Sequence, residues 1–228
     1  PGGLLSSAID ISNLFVEEGK NLLQIEIQDN KEVTVATDGT RIKVPVTLII
    51  DEGSASASEI LAGALSESAN VPLVGLNSFG KGTVQTVNDL PDGSNIKITT
   101  AKWLTPEGNW IHEKGILPDH VVEYPSYAML PPLDTTVTLK TNQSSEAVQT
   151  AEEMLKAVGY DVGEVDGNYD AQMNAAVKKF QTDNKLKVSG DIDGDTSYQL
   201  MNLLREKILE EDPQLLKAQE VVKDLLNK

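Results

Sequence analysis

Val44-Pro45-Val46-Thr47-Leu48-Ile49-Ile50-Asp51-Glu52-Gly53-Ser54-Ala55-Ser56-Ala57-Ser58-Glu59-Ile60 is the stretch that decides the fold. Its first seven residues are mostly β-branched and nearly all apolar, the pattern of a strand covered on both faces. Asp51-Glu52-Gly53 then reads as a turn. From Ser54 to Glu67, alanines, leucines and Ile60 recur at helical spacing, and Val71 to Leu76 is a second apolar strand. Strand, turn, helix and strand in that order make an α/β unit with a parallel strand pair.

Working outward, residues 4–16 read as a short helix with Leu5, Ile9 and Phe15 near one face. Residues 32–50 read as strand, with a hairpin turn at Asp38-Gly39. On the other side, Gly82–Val87, Asn95–Leu104 and Val121–Tyr124 read as strands, joined by turns at Leu90-Pro91-Asp92-Gly93 and Thr105-Pro106-Glu107-Gly108. Tyr124 to Asn142 is rich in Pro and Thr and reads as a linker. A helical region follows, with Val148, Ala151, Leu155 and Val158 on one stripe, Ala175 to Phe180 on a second helix and Ser197 to Ile208 on a third. Gly163-Glu164-Val165-Asp166-Gly167 is echoed by Gly190-Asp191-Ile192-Asp193-Gly194. A last helix from Gln214 carries Leu215, Leu216, Val222, Leu225 and Leu226, a set suited to packing on a partner. The expected architecture is an α/β (α+β) core with a mixed sheet and strand hairpins over residues 1–125, a linker at 126–144, a small all-α domain at 145–208 and a C-terminal helix at 209–228.

Composition narrows the chemistry. The formal net charge of the 228 residues is −16. Residues 1–140 carry −9 and the remainder −7, so the acidity is spread along the chain. Nucleic-acid binding is not expected, because phosphate contacts need a basic stripe, and docking on an anionic membrane surface is disfavoured for the same reason. With no cysteine, thiol catalysis, disulfides and Cys-based zinc sites are excluded. His112 and His120 are the two histidines, too few for a three-histidine zinc site. No apolar run reaches the length of a membrane span. Pro1-Gly2-Gly3 has neither the basic start nor the apolar stretch of a signal peptide and reads as the middle of a domain, so any targeting segment is expected upstream.

The serine cluster lies where a buried strand ends and a helix begins. A hydroxyl there meets unpaired backbone N–H groups and the positive end of the helix dipole, which favour an anion. That is how a serine nucleophile and half an oxyanion hole are built. Taken alone, the heptapeptide from Gly53 to Glu59 reads more simply as a helix cap, with Ser54 capping and a Glu completing a capping box. A nucleophilic serine also needs a base. His112, beside Glu113 and Lys114, and His120, after Pro118-Asp119, read as solvated turn residues. Lys81, in Phe79-Gly80-Lys81-Gly82-Thr83-Val84-Gln85, is the stronger candidate, because the flanking glycines allow close backbone approach. A lysine base must lose its proton from an ordinary pKa of about 10.4, and burial against apolar neighbours disfavours the charged form. On a strand, positions 81, 83 and 85 share one face, so Gln85 can orient Lys81.

Two other motifs fail. Gly75-Leu76-Asn77-Ser78-Phe79-Gly80-Lys81-Gly82 approaches a phosphate-binding loop, but Gly82 replaces the Mg²⁺-binding Ser/Thr, and a strand rather than a helix follows. Asp166, Asn168 and Asp170 begin like a calcium loop, but Ala171 and Val177 stand where Gly and Glu are required. Asp191, Asp193 and Asp195 fail likewise at Thr196 and Asn202. These acids read as turn residues.

Pro1-Gly2-Gly3-Leu4, the serine segment Gly53–Ile60, Phe79–Gln85, Trp103-Leu104-Thr105-Pro106-Glu107-Gly108 and Lys114-Gly115-Ile116-Leu117-Pro118-Asp119 together resemble the C-terminal processing (tail-specific) peptidase family of serine proteases. The resemblance covers about residues 1–125. It implies an endopeptidase with Ser56 as nucleophile, Lys81 as general base and Gln85 orienting the lysine. It also implies oxyanion amides from about Gly2 and Ala57, no metal or cofactor, and protein or peptide substrates recognised by their C-termini through an upstream PDZ domain of the same protein. Glu59 falls where the family often has an acid near the site.

Residues 145–205 resemble the three-helix peptidoglycan-binding domain through Gly159-Tyr160, Val165-Asp166-Gly167, Ala176–Gln181 and Gly190–Asp193. The usual Phe-Gly-x-x-Thr is here Tyr169-Asp170-Ala171-Gln172-Met173, which leaves glycan binding and a scaffolding or dimerising role both open. The two resemblances imply a bacterial, extracytoplasmic protein, with a homodimer through the C-terminal helices as a further expectation. The alternative is a catalytically silent wall-binding or scaffold protein.

Overall fold

The computed structural model describes residues 2–28, 30–37 and 41–227. They form two compact units. One runs to Glu123 and takes in the chain from Pro213 onward, and the other is Tyr124–Asp212. The fold is mixed α/β with a helical C-terminal region.

The first unit holds α1 (Leu5–Asn13), β1 (Asn21–Ile27), β2 (Asn30–Val35), β3 (Leu48–Ile50), α2 (Ala57–Gly63), β4 (Leu73–Gly75), β5 (Thr83–Asp89), β6 (Asn95–Leu104) and β7 (His120–Val121). A wider helical turn, Ala64–Ser68, extends α2. Two sheets result: antiparallel β2-β1-β6-β5 and parallel β3-β4-β7. The expected parallel pair is β3–β4, with Leu48 opposite Leu73 and Ile50 opposite Gly75. A side chain on Gly75, whose φ is +121°, would collide with the Ile50 carbonyl oxygen, so only glycine fits this close approach. α2 packs its Ala57 and Ile60, and the turn that extends it packs Ala64 and Leu65, into a core shared with Leu22, Leu23 and Trp103. Fully burying a large apolar side chain of this kind is worth about 1.5–3 kcal/mol.

Several expected boundaries shift. The strand expected over Val44–Ile50 is reduced to its last three residues, because Pro45 has no N–H for a ladder. Ile49 is exposed, so β3 is not covered on both faces. The expected hairpin turn at Asp38-Gly39 lies outside the described residues. Arg41–Val44 forms no strand, and β2 pairs instead with β1, which the sequence reading did not include. Strand β7 ends at Val121 rather than Tyr124.

In the second unit, α3 (Glu146–Ala157), α4 (Ala171–Asp183) and α5 (Gly194–Glu210) enclose Leu155, Tyr169, Met173, Phe180, Ile192 and Leu200. Each helix has an N-cap whose side chain accepts a backbone N–H: Ser145 from Val148, Asp170 from Met173 and Asp193 from Thr196. The acids of the calcium-like runs therefore make caps and turns, Asp166 accepting from the Asn168 amide at 2.9 Å. Residues 126–144 differ from the expected linker. Leu133 and Leu139 are buried in this core, and Leu139 pairs with Ile192 through two backbone hydrogen bonds of 3.0 Å. The final helix, α6 (Pro213–Leu226), belongs to the first unit. Its Ala218 and Val221 pack on Val74 of β4, and buried Gln214 donates to the Val122 carbonyl at 3.0 Å.

Candidate active site

Ser56 is the residue immediately before α2, with φ +57° and ψ −116°. A positive φ is uncommon outside glycine and costs about 1–3 kcal/mol, so the surroundings must hold it. The backbone amide of Ser56 donates to Oε2 of Glu59 at 2.8 Å. Ser54 does not cap the helix, as the simpler sequence reading had it. Its hydroxyl closes the preceding turn, donating to Asp51 Oδ1 at 2.9 Å and accepting from the Asp51 amide at 3.1 Å. Ser56 is thus the residue left at the strand-to-helix junction.

Glu59 is fully buried and takes four donors. Oε1 accepts from the Ser78 hydroxyl and the Gly80 amide, each at 2.6 Å, and Oε2 accepts from the amides of Ser56 and Lys81, each at 2.8 Å. A buried carboxylate persists when its oxygens are met by donors, and charge-assisted bonds of this length are strong. One side chain therefore ties the serine turn to the lysine loop. The sequence reading placed Glu59 near the site but gave it no such role.

The carbonyls of the same loop are held by ring N–H groups. Gly80 O lies 3.2 Å from His112 Nδ1, Lys81 O accepts from Trp103 Nε1 at 2.8 Å, and Gly82 O accepts from Trp110 Nε1 at 3.1 Å. A carbonyl can only accept, so His112 carries its proton on Nδ1. Trp103 also donates its own amide to Gly82 O, and the Glu113 amide donates to Gly80 O. His112 is thus engaged with the loop rather than free in solvent. The glycines on either side of Lys81 are what let this packing occur. Gly80 has φ +85°, and a Cβ there would stand 2.9 Å from the Gly115 amide nitrogen. A Cβ on Gly82 would stand 2.8 Å from the His112 amide nitrogen.

Ser56, Ala57, Lys81 and Gln85 line one cleft of about 260 Å³, together with Gly3, Leu5, Ile60, Thr83, Val84, Lys97 and Trp103. Gly2 lies against the serine turn. A Cβ built on it would stand 3.2 Å from Ser56 Cβ and 3.8 Å from the Ala57 nitrogen. All five residues singled out in the sequence thus come together, and Lys97 joins them without having been foreseen. A part-buried serine at a helix start, an amine in the same cleft and nearby backbone amides are the components of acyl transfer.

The family model of peptidase family S41 matches residues 1–122, and the model of the peptidoglycan binding domain matches residues 144–200. Carboxy-terminal processing protease CtpA of Bacillus subtilis (strain 168) is 46% identical over 224 residues, covering 98% of this chain and 48% of that protein. Carboxy-terminal processing protease CtpB of the same organism is 44% identical over 208 residues, covering 91% and 43%. Among solved structures, the photosystem II D1 C-terminal processing protease superposes with a TM-score of 0.50 at 35% identity, covering 57% of this chain and 33% of that one. The chain spans about half the length of the curated relatives it matches.

Proposed function

Because the chain belongs to peptidase family S41, we propose that it carries the Ser–Lys catalytic half of a serine endopeptidase that processes proteins near their C-termini. The observation that supports this best is the shared Glu59 oxygen. It takes the amides of Ser56 and Lys81, and both of those side chains line one cleft.

In the proposed mechanism, the Ser56 oxygen forms a bond to the scissile carbonyl carbon while its proton passes to the Lys81 amine. Amides at about Gly2 and Ala57 receive the developing oxyanion. When the intermediate collapses, the C–N bond breaks and Lys81 returns the proton to the departing amine. Water then attacks the acyl-enzyme carbonyl as Lys81 takes its proton, and Lys81 returns that proton to the Ser56 oxygen as the ester C–O bond breaks. Gln85 orients Lys81 from the same cleft. Glu59 fixes the distance between the two loops and takes no part in proton transfer.

Around this core we place an upstream PDZ domain that captures substrate C-termini, an extracytoplasmic location in a bacterium and a homodimer using apolar residues left exposed on α6, such as Leu216 and Leu226. Among the described residues, no helix is long and apolar enough to cross a membrane. The domain division of this reading is a catalytic half over 1–125 and a peptidoglycan-binding-like domain over 145–208. Tyr169, which stands in place of the usual Phe, is buried with its hydroxyl on the Gly190 carbonyl at 2.7 Å, so it serves the domain's core rather than a glycan-facing surface. The test is labelling of the full-length protein with a serine-directed fluorophosphonate probe. Modification of Ser56 supports the peptidase, whereas an unreactive Ser56 combined with retention on purified peptidoglycan supports a silent wall-binding protein.

A further inference from the structure

Among the described residues, the cleft that holds Ser56 has two ionisable side chains in its lining, Lys81 and Lys97, and both are bases. That is unusual in a chain with 35 acidic and 19 basic residues. Lys97 lies on β6, paired across the ladder with Val87 of β5. Other lysines of this sheet are spoken for, Lys31 and Lys102 both bonding Glu26 at 3.7 and 2.6 Å. Lys81 and Lys97 have no side-chain ion pair or hydrogen bond among the described residues. Glu59, which bonds the backbone of Ser56 and Lys81, is fully buried with both oxygens occupied by four donors, so it does not present an anion to the cleft. The rest of the lining is largely apolar, from Leu5, Ile60, Val84 and Trp103.

If Lys81 takes the serine's proton, it serves as the base and is not the group that pairs with a substrate anion. Among the described residues, Lys97 is then the one cation of the lining left to be met by the substrate. We propose that Lys97 is a specificity-determining residue, selecting substrates that carry a carboxylate within reach of the scissile bond beside an apolar side chain. This rests on the Ser56–Lys81 reading. The carboxylate comes either from an Asp or Glu side chain or from the free C-terminus. A lysine on a long, flexible stem suits a single point contact rather than a bidentate one. An exposed pair of this kind is worth a few-fold in rate, about three- to fivefold, and an opposed like charge reverses the preference by a similar factor.

The experiment uses the full-length protein and an internally quenched peptide cleaved by it, in which single Glu, Gln or Lys residues are walked through the positions flanking the cleaved bond. Each peptide is made with a free and with an amidated C-terminus. The expected result is a register at which kcat/KM for the Glu peptide, or for the free over the amidated terminus, exceeds its neutral counterpart about three- to fivefold. Lys97→Gln flattens that preference and Lys97→Glu turns it toward Lys, with the thermal midpoint unchanged. The first arm identifies a side chain as the source of the carboxylate, and the second identifies the terminus where Lys97→Gln flattens it, whereas a terminus preference unchanged in Lys97→Gln belongs to the upstream PDZ domain and overturns the terminus as Lys97's partner. Ser56-dependent cleavage with the same charge preference in wild type and Lys97→Glu overturns the assignment of Lys97 alone. Cleavage that persists in Ser56→Ala overturns the catalytic reading and this proposal with it.

Discussion

Oε2 of Glu59 accepts the backbone amide of Lys81 at 2.8 Å, and the same oxygen accepts the amide of Ser56. Glu59 and Lys81 are 22 positions apart in the chain, and this carboxylate sets the spacing between the turn that carries the serine and the loop that carries the lysine. Two carboxylate oxygens have about four lone-pair sites, and four donors use them here.

Glu59→Gln should therefore be costly although it conserves size. The amide NH₂ would face backbone N–H donors, leaving at least one buried donor unmet at about 1–3 kcal/mol. The predicted outcome is a lower thermal midpoint together with a fall in kcat of about a hundredfold, the scale of a misplacement near 1 Å, with KM little changed. Steady-state kinetics beside a melting curve checks this. Wild-type kcat in Glu59→Gln would show that the spacing is held some other way.

Gly80→Ala tests the packing of the lysine loop. The residue has φ +85°, and the added methyl would press on the backbone of Glu113, Lys114 and Gly115. Strain of about 1–3 kcal/mol is expected from the dihedral alone. Differential scanning calorimetry should show a lowered midpoint, and the fluorophosphonate probe should label Ser56 more slowly. Gly93→Ala is the control, since its φ of +84° carries the same dihedral strain but nothing lies within 4 Å of the new methyl. Equal losses in the two variants would mean that the close approach at Gly80 contributes nothing.

How much of this was legible in the sequence depends on the range of the interaction. The strand–turn–helix around Ser56 and the bracketed Lys81 are local patterns and could be read directly. β1 could not, because Leu22 and Leu23 are consecutive and both buried, and the register shifts between Asn21 and Leu23. A shift of this kind breaks the period-two alternation that marks a strand. Leu133 and Leu139 sit in a Pro- and Thr-rich run with no helical or strand period, so their burial left no local signal. The role of Glu59 was hidden for a related reason. At the third helical position it looks like half of a capping box, and nothing in its spacing points to Gly80 and Lys81. Lys97 is one of several strand lysines until the fold places it in the cleft.

Glu152 gives a pH prediction for the helical unit. It is buried, and its carboxyl pKa is raised above the ordinary value mainly by burial, an effect the Gly167 amide at 2.9 Å only partly offsets. For a group raised on folding, stability is fully present below the unfolded pKa, about 4.3, and is lost as pH rises through the folded pKa. Glu152→Gln keeps an acceptor for Gly167 and removes the charge. In residues 124–212, expressed alone and folded as a helical unit by circular dichroism, the variant should gain stability over wild type at pH 7 and little at pH 4, measured by urea titration. An advantage independent of pH would assign it to packing instead.

The most direct test of the account is kcat/KM of Lys81→Arg in the full-length protein, measured with a quenched peptide substrate beside wild type and Ser56→Ala. Arginine keeps the positive charge and much of the length but stays protonated, so it cannot take the Ser56 proton. The expected result is a loss of at least about a hundredfold, as removal of a general base gives, with an unchanged melting midpoint and a loss at least as large in Ser56→Ala. Activity in Lys81→Arg within about tenfold of wild type would contradict the lysine-base mechanism.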